Sequence, residues 1–387
     1  MNPRFHIDHN VYILGAGFSR DAGLPLLNDF LDKMREARVS LRGIESKESA
    51  IDKVLAFRME ASASKDKIRI NLNNLEELLS LASALPNENG STYLHGLPIA
   101  IGSTLNHCQN LYTKNPSKKW TIECPDSLLS TPSWEPLGYE DASTRPKKRR
   151  VPVYDVITGL MTGILDPNPD QQNTIITFNY DTLIEEALSR MGGKCTYGIP
   201  GMVSGEIPID WCLADPDEID ERTLHLLKLH GSINWGLPKE DRETHKTSQI
   251  FFKTFSELLE NGNWPLIEPP TWKKGTNDIL GNVWTKSVQR LKTATRIIVI
   301  GYSCPQTDPY FRFLLAAGLK DNISLTSIHI VNGNEDHQQK IKDLFSEHCV
   351  GPDHILANAS NTLWFFGNQN FQENINRWPK SWTSPPS

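Results

Sequence analysis

The chain reads as an α/β protein with a Rossmann-like parallel sheet, and three features predict that class. Val11–Leu14 is a short apolar run that stops at Gly15-Ala16-Gly17 and leads into a helix beginning near Ser19, the order of a buried strand, a tight turn and a helix. Arg296–Ile300 is almost continuously apolar, as a strand buried on both faces of a parallel sheet must be. Other short apolar runs end in polar or glycine-bearing turns and alternate with helical patterns.

Glycines at 15 and 17 let the backbone turn sharply and approach a ligand without a Cβ in the way, and the following helix offers unpaired N–H groups and the positive end of its dipole. That geometry suits a pyrophosphate, although the same order occurs in α/β proteins that bind no nucleotide. The hydride-transfer fingerprint requires a third glycine where this chain has Arg20, and an acidic residue roughly 20 positions on at the end of a second strand. Glu36 lies near that distance but inside LNDFLDKMREA, a helical pattern. An ordinary nicotinamide dehydrogenase is therefore disfavoured. No Gly-Lys-Ser or Gly-Lys-Thr follows, so a P-loop is excluded.

With 387 residues, 38% of them hydrophobic, the chain can bury a sizeable core, and we expect one domain over 1–387 with a helical insertion at about 30–154. A formal net charge of −6 argues against strong direct nucleic-acid binding, which needs a basic face. No apolar run is long enough to span a membrane, and MNPRFHIDHN lacks a charged-then-apolar signal pattern; a cytoplasmic location is expected. Six cysteines are scattered without a C-x-x-C pair, the pattern of reduced thiols with no metal site.

Asn28 to about Ser40 is helical, and Leu72, Leu75, Leu78, Leu79 and Ala82 make one apolar stripe at helical period. A further helix covers Leu97 to Tyr112, so the region from Phe30 to there reads as helices without strands. Thr113 to Val151, rich in Pro, Ser, Lys and Trp and containing the basic run 145–150, reads as a solvated loop. After a helix near Tyr154 to Gly163, Asn173–Phe178 is a buried strand followed by Asn179-Tyr180-Asp181 and a helix stopped by Gly192-Gly193. Cys195 to Thr223 is irregular. Leu224–Leu229 is a third strand, with His230-Gly231-Ser232 at its end. Arg296–Ile300 runs into Gly301-Tyr302-Ser303; Asp308-Pro309 opens a helix over Tyr310–Leu319; and Ser327–Val331, the last central strand, ends at Asn332-Gly333-Asn334. Ligands of open α/β sheets bind outside the carboxyl ends of the strands, so these tips are expected to converge on one crevice.

Taken in order, GAGFSRDAGLP, TFNYD, LHGS, the IGYS turn and the VNGN turn resemble the sirtuin superfamily of NAD-consuming proteins. The resemblance implies that Gly15, Ala16, Gly17 and Ser19, with Phe18 among them, cradle the pyrophosphate of NAD. It also implies that Asn179 and His230 face the nicotinamide ribose as the catalytic pair, that Asp181 holds the carboxamide, and that Gly301, Tyr302, Ser303 and Asn332 surround the adenosine. Asp181 has a second reading, as a cap for the helix beginning at Thr182. Cleaving the nicotinamide glycosidic bond passes through an oxocarbenium-like sugar, and needs dipoles around the ribose and a base rather than a strong nucleophile; a histidine can accept a proton at neutral pH.

Departures from the family pattern narrow the expectation. Sirtuin deacylases carry a zinc ribbon of two C-x-x-C pairs after the histidine-glycine element and an Asp-Phe-Arg segment after the first motif; this chain has no such pairs, and Leu26-Leu27-Asn28 stands at that segment. The pattern, GYSCPQTDPYF above all, is similar to the sirtuin-like NAD hydrolases of bacterial antiviral systems. That similarity implies NAD as substrate, no metal, a homo-oligomer, and a partner such as a HerA-type ATPase or an Argonaute. Protein deacylation, ADP-ribosyl transfer and non-enzymatic sensing of NAD or ADP-ribose are the alternatives.

Overall fold

The computed structural model describes residues 8–85, 96–114, 121–125, 148–165, 171–199, 212–214, 219–220, 223–238, 249–268, 278–305, 310–346, 349–351 and 354–358. Seven strands form one parallel sheet: β1 (Asp8–Leu14), β4 (Gln171–Thr177), β5 (Cys195–Thr196), β6 (Leu224–Lys228), β10 (Arg296–Ile300), β11 (Ser327–Val331) and β12 (Ile355–Asn358). Their order across the sheet is β12-β11-β10-β1-β4-β6-β5. β1 is central, and Val11, Tyr12, Ile13 and Leu14 have no exposed surface, which is why that stretch is apolar at every position rather than at alternate ones.

Register decides where the site lies. Leu14 is level with Ile300 on one side and Thr177 on the other, Ile300 with Val331, and Thr177 with Lys228. Five strands thus finish at one height, and the segments that follow them emerge on a common edge, the ligand-binding edge of such sheets.

The helices Phe30–Ser40, Glu45–Glu60, Leu75–Ala84 and Leu97–Lys114 lie between β1 and β4. Leu72, Leu75, Leu78, Leu79 and Ala82 are all buried, as their spacing predicts. The structure corrects the sequence reading in several places. Helical turns begin at Ala16, three residues before the expected start. The predicted loop contains β2 (Thr121–Pro125) and β3 (Lys148–Pro152), paired antiparallel, so the last three residues of the basic run lie in a strand; 145–147 lie outside the described residues. Cys195 to Thr223 is not wholly irregular, because Cys195–Thr196 forms the edge strand beside β6. Ser327–Val331 is a central strand as expected, and a further strand, β12, pairs beside it at the edge. Gly231–Leu237, read as a polar tip, is β7, the middle strand of a second sheet with β8 (Phe251–Phe252) and β9 (Trp264–Ile267). The Asp308-Pro309 helix start lies outside the described residues; the helix itself runs Tyr310–Leu319.

Three histidines are built into the parallel sheet. Burial, reinforced by Arg290, pushes His9 down to about 3 and His225 to about 4; burial and then Arg296 push His329 to about 4. The His9 ring sits between the hydroxyls of Thr293 and Thr174, each at 2.9 Å, with an Arg290 amino group 3.1 Å from Nε2, an arrangement for the neutral ring.

Two predictions follow from the sheet. Because the histidines are neutral when folded and protonate near pH 6.5 when unfolded, the unfolded chain binds the extra protons, and stability is lost as pH falls from about 6.5 toward 4. The loss expected by pH 5 is about 2 kcal/mol per histidine, read as a lower urea midpoint at pH 5 than at pH 7; His9→Gln should shrink the difference, and equal midpoints would sink the assignment. The second concerns Gly301, whose φ is +63° and whose added Cβ would lie 2.2 Å from the Phe18 nitrogen. Gly301→Ala should cost about 3 kcal/mol or more, whereas Gly333→Ala, with nothing within 4 Å of the new Cβ, should stay within about 0.5 kcal/mol, both measured by chemical denaturation.

Candidate active site

Past their last residues the central strands stay tied to one another. Gly15 N–H donates to Ile300 O at 3.0 Å, Phe178 N–H to Leu14 O at 3.0 Å, Leu229 N–H to Thr177 O at 2.9 Å and Gly301 N–H to Val331 O at 2.9 Å. The two glycine turns also interlock: Gly17 N–H donates to Gly301 O at 2.8 Å, and a Cβ on Gly15 would lie 2.6 Å from Tyr302 Cα. The close approach that glycine permits here is between backbone and backbone. Gly15, Gly17 and Phe18 engage their N–H groups within the protein.

These tips form the floor of a cleft. Gly15, Ala16 and Ser19 line it from the first turn, Asn179 and Asp181 from the end of β4, His230 from the end of β6, and Tyr302 and Ser303 from the end of β10. Phe178 stacks on Tyr302 with centroids 4.6 Å apart and meets the His230 ring edge-on at 5.3 Å. Tyr180 O accepts from Ile233 N–H at 3.0 Å and Ser232 Oγ at 3.1 Å, and its hydroxyl donates to Glu268 O at 2.8 Å, so the Asn179–Asp181 segment is fixed to the loop that carries His230.

Within the cleft one hydrogen-bonded chain joins the side chains of three predicted residues to the carbonyl of a fourth, Gly15. Asn179 Nδ2 donates to Gly15 O at 2.9 Å and to Ser19 Oγ at 3.1 Å; Ser19 Oγ donates to Asp181 Oδ2 at 2.7 Å; Asp181 Oδ1 accepts from Leu183 N–H at 3.2 Å. Burial pushes the Asp181 carboxyl above the ordinary carboxylate range, against the opposing pull of the Lys228 charge and the Ser19 hydroxyl. Lys228, itself buried, donates to Asp181 O and to Glu185 Oε1. Asp181 lines the cleft, and its carboxylate accepts from the N–H of Leu183, the first residue of the following helix.

Four predicted residues do not line the cleft. Gly17 and Gly301 form the interlock. Phe18 is buried, its ring edge-on to Tyr154 at 5.4 Å and its carbonyl accepting the Tyr154 hydroxyl. Asn332 stands behind Tyr302, donating to its carbonyl at 2.8 Å and accepting from Asn334 N–H at 3.0 Å.

The opposite wall is built by residues 24–30 and by two helices that lie between β1 and β4. Leu24, Pro25, Leu27 and Phe30 follow the first turn, and Leu75, Glu76 and Leu105 come from two insertion helices. Leu75 N–H donates to Leu27 O at 3.0 Å, and Gln109 donates to Thr182 Oγ1 at 2.6 Å and accepts from Thr182 N–H at 3.0 Å. Nothing in the periodicity of Leu72–Ala82 distinguishes a helix that ends at a cleft from any other core helix.

Residues 173–350 match the family model of the SIR2-like domain. That span holds Asn179, Asp181, His230, Gly301, Tyr302, Ser303 and Asn332, while the Gly15–Ser19 turn precedes it. Among solved structures the chain is similar to one described under the mechanism and regulation of Sir2 enzymes, at 12% identity over 96% of this chain and 92% of that one, with a TM-score of 0.39. It is also similar to a mutant Sir2 homologue in complex with 2'-O-acetyl ADP-ribose, at 12% identity over 98% and 95%, TM-score 0.40, and to a Sir2 bound to a propionylated peptide, at 12% over 95% and 93%, TM-score 0.36. No curated protein matches the chain. Among the described residues no helix is long and apolar enough to cross a membrane, and no group of three His, Cys, Asp or Glu side chains is placed to hold a metal ion.

Ser19 is the joint of the cleft network, so Ser19→Ala should remove two hydrogen bonds and leave the Asp181 carboxylate short of a donor. The expected loss is about 2 kcal/mol of stability in urea titrations at pH 7; a loss under about 0.5 kcal/mol would show that Ser19 does not hold Asp181.

Proposed function

We propose that the protein is an NAD glycohydrolase that releases nicotinamide and ADP-ribose. The observation that carries this reading is the meeting of Asn179 and His230 in one cleft with the Ser19–Asp181 pair, in a chain whose residues 173–350 match the SIR2-like domain. The C1′–N bond breaks and its electron pair leaves with the nicotinamide nitrogen. Positive charge then spreads over C1′ and the ring oxygen of the ribose. Asn179, held from both sides by Gly15 and Ser19, is a fixed dipole that orients ribose and water; His230 accepts the proton as water bonds to C1′. Pre-set dipoles and a positioned base are what this transition state requires. Gly15, Ala16 and Ser19 of the first turn, with Tyr302 and Ser303, line the space for the rest of the dinucleotide.

A SIR2-like domain accommodates lysine deacylation equally well. Support for hydrolysis comes from the sequence, which lacks the paired C-x-x-C elements of the deacylase zinc ribbon. We further read the activity as NAD depletion in antiviral defence, restrained by homo-oligomerisation or by a HerA-type ATPase or Argonaute partner, because unrestrained NAD hydrolysis is toxic to a growing cell. The likeness of GYSCPQTDPYF to that branch supports this.

Chromatography of NAD incubated with the protein, alone and with the product of a neighbouring gene, is the test. Nicotinamide and ADP-ribose should appear without any acylated peptide, and Asn179→Ala and His230→Ala should each lower turnover by roughly a hundredfold or more. Turnover that requires an acyl-lysine peptide would overturn the hydrolase reading.

A further inference from the structure

We propose that Gln109, on the helix Leu97–Lys114, is a positioning residue for the Asn179–Asp181 segment, so that a helix from between β1 and β4 sets the geometry at the ribose end of the cleft. The inference rests on the NAD reading above, in which Asn179 orients the ribose and the attacking water.

The Gln109 amide is buried and meets the residue that follows Asp181. Its Oε1 accepts from Thr182 N–H at 3.0 Å, and its Nε2 donates to Thr182 Oγ1 at 2.6 Å and to Glu186 Oε1. A main-chain N–H only donates, so the amide oxygen must face it, which leaves the NH2 group for the hydroxyl and the carboxylate. Thr182 stands at the cap position of the helix Leu183–Met191, yet its side chain caps no N–H of that helix; its hydroxyl takes Gln109 Nε2 instead. The contact grips the chain by both main-chain and side-chain groups, one peptide from Asp181.

The same helix bears on the cleft at two further points. Leu105, Gln109 and Tyr112 follow the four- and three-residue spacing of one helix face. Leu105 lines the cleft. The Tyr112 ring meets Tyr154 edge-on at 5.8 Å, and the Tyr154 hydroxyl donates to Phe18 O, one residue before the Ser19 that holds Asn179 and Asp181. Glu186, the other partner of the Gln109 NH2 group, lies 3.6 Å from Arg190, which is bidentate on the buried Asp155 carboxylate of the helix Val153–Thr162. The amide is therefore anchored in a network that joins three helices.

Removing the amide strips Thr182 N–H of its acceptor and lets the peptide beside Asp181 move toward water. Fixed dipoles work only while they stay fixed, and a displacement of about 1 Å is enough to lose much of their effect. A glutamine that merely filled the space between helices would leave the cleft unchanged when replaced by a leucine of similar size.

Calorimetry on the full-length protein, without an activating partner, separates the two cases with NAD and ADP as probes. In the NAD reading the nicotinamide ribose meets Asn179, and ADP lacks that ribose. Gln109→Leu should weaken NAD binding by about tenfold and ADP binding by no more than about twofold. Thr182→Val, which removes the hydroxyl and keeps the main-chain contact, should weaken NAD binding by about threefold. The melting temperature of each variant shows that it is folded, and Thr182→Val decides the matter if Gln109→Leu does not fold. Unchanged NAD affinity in the folded variant, or equal losses for NAD and ADP, overturns the role of Gln109 and leaves the hydrolase reading standing; failure of the unaltered protein to bind NAD or ADP overturns both.

Discussion

The backbone contact between the turn after β1 and the turn after β10 is the constraint on which the cleft depends. Gly15 and Gly17 on one side and Gly301 on the other approach so closely that a single added methyl group at any of them would overlap main-chain atoms. That contact sets where Ser19 stands relative to Tyr302 and Ser303. Ser19 in turn places Asn179 and Asp181. The glycines therefore act as packing residues first, and any ligand contact they make follows from the shape this packing creates.

Behind the cleft lies a second layer of buried polarity. Lys228 joins Asp181 O to Glu185, Tyr197 donates to Glu185 at 3.1 Å, and Asn234 donates to Tyr197 at 2.9 Å. The network links β6, the helix Leu183–Met191 and the second sheet. Buried ion pairs contribute little net stability but penalise any arrangement that separates them, which gives the loops carrying Asn179 and His230 one favoured relation.

Much of this architecture was legible in the chain. Val11–Leu14 in β1 and Ile297–Ile300 in β10 are unbroken apolar runs, and β11 is interrupted by His329 alone after Ser327; the sheet buries them, so sequence and environment agree. Asn179, Asp181 and His230 stood out because each lies within three residues of the end of a largely apolar strand run. β7 was not legible: its seven residues include two glycines, a serine and an asparagine, yet all are buried, because β8, β9 and the helix Phe255–Glu260 cover them. β2 and β3 are five residues each, too short for the alternation of Ile122 and Cys124 to mark a strand, and Lys148-Arg149-Arg150 reads as a solvated run. Glu76 was hidden for another reason. The leucine stripe identifies the buried face of its helix, but the helix start is tied beside the cleft by Leu75 N–H donating to Leu27 O, a contact between residues far apart in sequence.

The central place of β1 has a consequence for how the chain is made. β1 is synthesised first, yet its neighbours β4 and β10 begin at residues 171 and 296. Pairings this distant close late and slowly. On the ribosome the first turn has neither flank until β4 emerges and no Gly301 to lock against until β10 has followed it. A nascent or truncated chain therefore lacks a formed cleft, and the complete one acquires it as one of the last events of folding.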